Sequence, residues 1–194
     1  MSLLKDYKRP NDKIHQLIAN GSLVSIKKGL YFTPLTREPE RFLLANHILG
    51  PSYISFESVL SFHGPIPEQV YEVSSATTKA ARRFDTTLGR FTFIHLGLPY
   101  YSFGIKSVVL GDEKTALMAT PEKAVFDKIV ATPGVILRSE ISAAGYLLED
   151  LRMDESQLKQ LDRGIMERWL ADSPKKNSLA MMIKMINRLN KRLA

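Results

Sequence analysis

Cysteine is absent from all 194 residues, so the chain holds no disulfide, no thiolate metal site and no cysteine nucleophile. Histidine is scarce. His15, His47, His63 and His95 lie far apart, and no pair has the H-x-x-x-H spacing that sets two imidazoles on one helix face for zinc. Neither a glycine-rich phosphate loop nor a G-x-S-x-G elbow is present. No apolar run approaches the roughly 18 residues needed to cross a bilayer. The opening MSLLKDYKRPN also lacks the apolar core of a secretory signal. These absences lead to the expectation of a soluble, cytoplasmic protein with no membrane partner, no metal, no cofactor and no catalytic residues.

What is present is the balance of a globular chain, 44% hydrophobic and 24% charged, with its charge unevenly spread. Residues 1–34 hold six Lys or Arg against Asp6 and Asp12, a sum of +4. Residues 173–194 hold six Lys or Arg and no acid, a sum of +6. With a total of +7, residues 35–172 are left at −3. Cations gathered at both ends of a slightly acidic body point to a polyanionic partner, nucleic acid first.

The segment RPNDKIHQLIANG reads as a helix, with Pro10 tolerated in its first turn and Gly21 at its stop. Ile14, Leu17 and Ile18 recur at i, i+3, i+4 and are expected in the core. Arg9, Asn11, Lys13 and Gln16 remain on the outer sides. Leu23-Val24-Ser25-Ile26, a turn through Lys27-Lys28-Gly29 and Leu30-Tyr31-Phe32 then make a hairpin with a basic tip. A helix followed at once by such a hairpin is the second half of a winged helix-turn-helix. Only MSLLKDYK precedes Arg9, with Leu3, Leu4 and Tyr7 as its apolar residues, so the expected unit, residues 1–36, is truncated.

LTREPE is a loop and boundary. Helices are expected in RFLLANHILG and ISFESVLSFHG, and strands in VYEVSSA, RFTFIHL and KSVVLG. TPEKAVFDKIVATPG restores a helix, with Thr120 as N-cap, Pro121 in the first turn and the acids Glu122 and Glu113 nearby. ISAAGYLLEDL, DESQLKQLDRGIMERWLA and NSLAMMIKMINRLNKRL complete the chain as three helical stretches. The fold class is α+β: the truncated winged unit, then a mixed domain over residues 37–194 with a short, mainly antiparallel sheet and C-terminal helices.

IKKGLYFTP, YISFESVLSFHGPIPE and TPEKAVFDKI, in this order, resemble the AbiEi antitoxin family of type IV toxin–antitoxin systems. The likeness rests on Lys28-Gly29-Leu30-Tyr31, on Ile54-Ser55 through Ser58 to His63-Gly64, and on Pro121-Glu122-Lys123-Ala124 with Asp127, across roughly residues 10–130. It implies a DNA-binding repressor of its own operon with a C-terminal antitoxin domain. It also implies a functional pairing with a nucleotidyltransferase-like toxin, without a stable complex. Ser55 would cap a helix and His63 would be a polar stop before Gly64.

In such a protein Arg9, Asn11, Lys13 and Gln16 would face base edges in the major groove of a double-stranded operator. Lys27 and Lys28 would meet phosphate at the wing tip. Further phosphate contacts are expected from Arg82 and Arg83, and from Lys184, Arg188, Lys191 and Arg192. The last four belong to a C-terminal helix whose Leu179, Met182, Ile183, Ile186, Leu189 and Leu193 form the packing side. Twofold operators favour a homodimer. The alternative is a protein-interaction module that neutralises a toxin or competes for its target without touching DNA. A hydrolase would need Ser55, His63 and an acid within hydrogen-bond reach.

Overall fold

The computed structural model describes residues 7–34, 40–64, 72–111 and 114–191. The first helix, α1 (Pro10–Ala19), starts at a proline whose missing N–H is no loss in a first turn. The hairpin follows as β1 (Val24–Lys27) and β2 (Leu30–Phe32). Then come α2 (Arg41–Ile48), β3 (Ser52–Ile54), α3 (Phe56–His63) and four strands: β4 (Glu72–Thr77), β5 (Arg82–Thr86), β6 (Gly89–His95) and β7 (Ile105–Val109). β8 (Thr115–Ala119) leads into α4 (Pro121–Ala131), and α5 (Glu140–Ala144) runs on as a π-helix over Gly145–Asp150. Last are α6 (Glu155–Lys159), α7 (Arg163–Trp169) and α8 (Lys176–Lys191). The α+β class expected from the sequence is what the structure has. The expected boundary near residue 36 and the apolar Leu3 and Leu4 lie outside the described residues, as do Glu113, Leu193 and the Pro65–Glu68 part of the second motif.

The large sheet has six strands in the order β5-β6-β4-β3-β8-β7. The β4/β6 and β3/β8 pairs are parallel and the other three antiparallel, so the sheet is mixed. α2 packs along β3 and β8, α3 lies on β4 and against α4, and α8 gathers α4, α5, α6 and α7. The core is continuous. Phe91 and Phe93 of β6, Tyr53 of β3, Met118 of β8, Phe126 and Ile129 of α4 and Leu179, Met182, Ile183, Ile186 and Leu189 of α8 share it. Each such side chain contributes on the order of 1.5–3 kcal/mol by leaving water. Ile26 of β1 is buried in the same cluster, with Leu30 and Phe32 against it.

Four helical expectations are revised. Ile54 belongs to β3, so α3 begins only at Phe56. DESQLKQLDRGIMERWLA is two helices rather than one. The chain turns at Gln160–Asp162, where the Asp162 carboxylate accepts from the amide of Ile165 at 3.1 Å and starts α7. ISAAGYLLEDL is α only as far as Ala144. The apolar trio Ile14, Leu17 and Ile18 is only half-buried, and no residue of α1 is buried. The N-terminal unit joins the core through its hairpin instead, on Ile26, Leu30 and Phe32.

α4 is fixed at both ends. Thr120 Oγ1 accepts from the amide of Lys123 at 3.3 Å, the N-cap expected from the sequence. At the other end Lys175 Nζ donates to the carbonyls of Ile129 and Thr132 at 2.8 and 2.6 Å. Beside α4, Gly104 has φ +58°, and an added Cβ would stand 2.6 Å from Trp169 Cη2 and 2.8 Å from Lys123 Cβ, so only glycine fits. Thr120→Ala is expected to lower unfolding stability by about 1 kcal/mol, measured by urea denaturation, through loss of the cap.

Candidate nucleic-acid interface

The helix–hairpin unit carries the six residues expected to meet DNA. Arg9 occupies the N-cap position of α1 without a capping side-chain bond, and its exposed guanidinium stands 3.8 Å from Asp12. Asn11 and Gln16 are exposed. Lys13 Nζ donates to Gln16 Oε1 at 3.2 Å and lies 5.7 Å from the centroid of the Tyr7 ring. In the hairpin, Val24 pairs with Phe32, Ser25 with Tyr31 and Lys27 with Leu30, and the register shift between Ser25 and Lys27 leaves Ile26 turned into the core. Lys28 and Gly29 form the tip, Gly29 at φ +84°, with Lys28 exposed and Lys27 half-buried. The hairpin is tied to the helix by the Leu23 amide, which donates to the carbonyl of Leu17 at 2.9 Å. Lys13 and Gln16 thus form one bonded pair, whereas Lys27 ends β1 opposite Leu30 and only Lys28 of the two lysines lies in the turn. No hydrogen bond or ion pair among the described residues joins that pair to either lysine.

The secondary cations fall into two groups. Arg82 and Arg83 lie exposed on the edge strand β5, where Arg83 stands 3.6 Å from Asp85. Asp85 also accepts from Arg90 Nε at 2.8 Å, a bond that holds its carboxyl below the usual aspartate range. Lys184, Arg188 and Lys191 recur at i, i+4, i+7 as the exposed stripe of α8. With Asn187 and Glu140 they line a concavity of about 490 Å³, and Arg188 reaches Glu140 at 3.7 Å. Arg192 lies outside the described residues. The opposite side of α8 is in the core, so this helix is not a free amphipathic surface.

Ser55, His63 and Asp127 do not form a triad. Ser55 Oγ donates to Asp127 Oδ2 at 2.6 Å inside the core, whereas His63 is exposed at the far end of α3 with its ring against Phe62. Nor does Ser55 cap α3, since no side-chain cap bond is made there. Its hydroxyl turns instead to a carboxylate that gathers four donors. Tyr53 Oη donates to Asp127 Oδ2 at 3.0 Å, and Tyr100 Oη and Lys123 Nζ reach Oδ1 at 2.8 Å each. Lys123 also donates to the Tyr100 carbonyl at 3.0 Å and sits 3.2 Å from the centroid of that ring. The side chains of Lys123 and Asp127 are 0% exposed. Burial lowers the Lys123 pKa against the pull of Asp127, and burial with the adjacent carboxylate raises both tyrosines. The i, i+4 spacing of Lys123 and Asp127 was the sequence signal for this pair. Nothing in the sequence marked Tyr53 and Tyr100 as its partners.

Phe56, directly after Ser55, has φ +55° and a buried ring. It lines a cleft of about 580 Å³ together with Glu72 and Ser74 of β4 and Thr92 and Ile94 of β6. There Glu57 is ion-paired with Lys128, and the Thr92 hydroxyl is buried without a partner among the described residues. No protein-family model and no curated protein matches the sequence.

Two outcomes test the cluster. Asp127→Asn is expected to cost about 3–5 kcal/mol in urea unfolding because it strands a buried ammonium. Lys123→Met is expected to cost less, because three hydroxyl donors still hold the carboxylate. The reverse order in equilibrium unfolding refutes this account.

The cluster also predicts an alkaline limit. Above the ordinary tyrosine pKa of 10.0 the unfolded chain releases phenol protons that the folded chain keeps, so stability present below that pH is lost as pH rises. The slope is about 1.4 kcal/mol per pH unit for each tyrosine. Lys123 acts oppositely, but only up to its ordinary 10.5. Tyr53→Phe with Tyr100→Phe should flatten the fall in urea midpoint between about pH 10 and 12.

Proposed function

We propose that this chain is a DNA-binding autorepressor and antitoxin of a type IV toxin–antitoxin pair, counteracting a nucleotidyltransferase-like toxin in the cytoplasm. The reading draws first on one observation. A helix with Asn11 and Gln16 exposed is bonded directly to a hairpin whose turn is Lys28-Gly29. In this reading the unit is a shortened winged helix. α1 lies in the major groove, where Arg9 suits guanine and Asn11 or Gln16 adenine, each paired contact worth about 1–3 kcal/mol of discrimination. Lys13 would have to exchange its bond to Gln16 for one to the duplex. Lys28 at the tip and Lys27 beside it neutralise phosphate. The family resemblance of the three motifs adds the antitoxin role and the toxin's class.

A second reading rests on a different observation: Ile14, Leu17 and Ile18 are half-exposed on α1. A helix that keeps an apolar side partly open suits a protein-interaction module that neutralises a toxin or competes for its target, with no DNA role.

A gel shift on the chain's own upstream duplex separates them. The repressor reading expects a shift that weakens steeply with salt. Lys27→Glu with Lys28→Glu should reduce binding to all duplexes and lower the log–log salt slope by about 1.8, two phosphates at about 0.9 each. An unchanged slope in the double variant removes the hairpin from the interface. No shift of the native chain at low salt favours the second reading.

A further inference from the structure

Glycine inside a helix costs roughly 0.5–1 kcal/mol relative to alanine, and the cost is usually met by a steric need. Gly104, in the turn before β7 rather than in a helix, meets a steric need. Gly145 has none. It stands where α5 passes into the π-helix, at φ −54° and ψ −49°, a conformation any residue adopts, and a Cβ added there meets nothing within 4 Å. Neither packing nor backbone conformation therefore requires glycine at this position.

That surface is a ridge with a notch. Ile141, one turn before Gly145, is 80% exposed, the highest value of any large hydrophobic residue among the described residues. Glu149, one turn after, is also exposed. On one side of the notch a groove of about 310 Å³ runs past Ala144 and Leu148. On the other a groove of about 380 Å³ runs past Ile136, itself 62% exposed, to Asp150, and no Lys or Arg lines it. The ridge is wound as a π-helix over Gly145–Asp150, and such segments concentrate at functional positions. Charge indicates the occupant. The charged side chains lining the second groove are Glu149 and Asp150, whereas in the first Arg188 stands beside Glu140.

We propose that this notched ridge docks a basic amphipathic helix of a partner protein. The partner's backbone crosses at Gly145, where the absent side chain lets two helices approach closely. Its apolar residues lie on Ile141 and Ile136, and its cations face Glu149 and Asp150.

The test uses the full chain and a labelled Leu/Lys amphipathic peptide of about 18 residues, five helical turns, followed by fluorescence anisotropy. The native chain is expected to bind it. Gly145→Gln should weaken binding by about tenfold or more while leaving the melting temperature equal or higher, since the substitution improves helix propensity. Ile141→Ser, and Glu149→Lys with Asp150→Lys, should weaken binding likewise, whereas Lys106→Gln on β7 should not. The proposal is overturned if Gly145→Gln binds as the native chain does, if a Leu/Glu peptide binds equally well, or if the Leu/Lys peptide does not bind. It is also overturned if light scattering shows that Gly145→Gln breaks up a homodimer, because a second copy would then occupy the ridge.

Discussion

One carboxylate organises the body of this protein. Asp127 is out of contact with water, and a lone charge there would be costly in a low-dielectric interior. It is tolerated because four donors converge on it from separate parts of the chain: Tyr53 on β3, Ser55 at the β3–α3 junction, Tyr100 before β7 and Lys123 one turn back on α4. Apolar packing tolerates sliding, but hydrogen bonds of 2.6–3.0 Å do not. The cluster therefore fixes where β3, the segment before β7 and α4 meet. A pair of this kind adds little net stability over an apolar substitute. Here its consequence is register: a different pairing of β3 would strand a charge.

The same carboxylate accounts for a local irregularity. A serine before a helix ordinarily spends its hydroxyl on an exposed amide of the first turn. Ser55 points inward instead, and the next residue, Phe56, takes φ +55°, which costs on the order of 1–3 kcal/mol for a side chain of this kind. The strain is offset on both sides of the bend, by the shortest of the four bonds to Asp127 and by the buried Phe56 ring. The sequence concealed this, because S-F-E-S reads locally as a plain helix start.

That contrast sets the limit of what was legible. α1, the hairpin and α4 were readable because their ends are written in local chemistry: Pro10 and Pro121 in first turns, Thr120 as a cap, and a glycine in the turn. β8 was not, since Thr-Ala-Leu-Met-Ala favours helix and becomes a strand only by pairing with β7 and β3. β5, Arg-Arg-Phe-Asp-Thr, lacks an apolar face because it is an edge strand. At the candidate interface the sequence indicated which residues are polar and exposed. It misjudged Ile14, Leu17 and Ile18, because a 3.6-residue period marks a face that is capable of burial and does not say what covers it.

Exposure then separates two kinds of positive charge. On β5 and β6, Arg83 and Arg90 lie within an ion-pair ladder with Asp85 and Glu72, so a polyanion would have to displace those carboxylates before gaining anything. Lys28 is exposed at a hairpin tip that has no acidic neighbour in sequence, and two of the three cations on the α8 stripe, Lys184 and Lys191, make no ion pair among the described residues. Counterion release rewards cations of this second kind. If the chain holds a duplex, its affinity should therefore come from the two basic ends and from Arg82, exposed on β5 without an ion pair among the described residues, and little from Arg83 and Arg90, although all of them count equally in the net charge of +7.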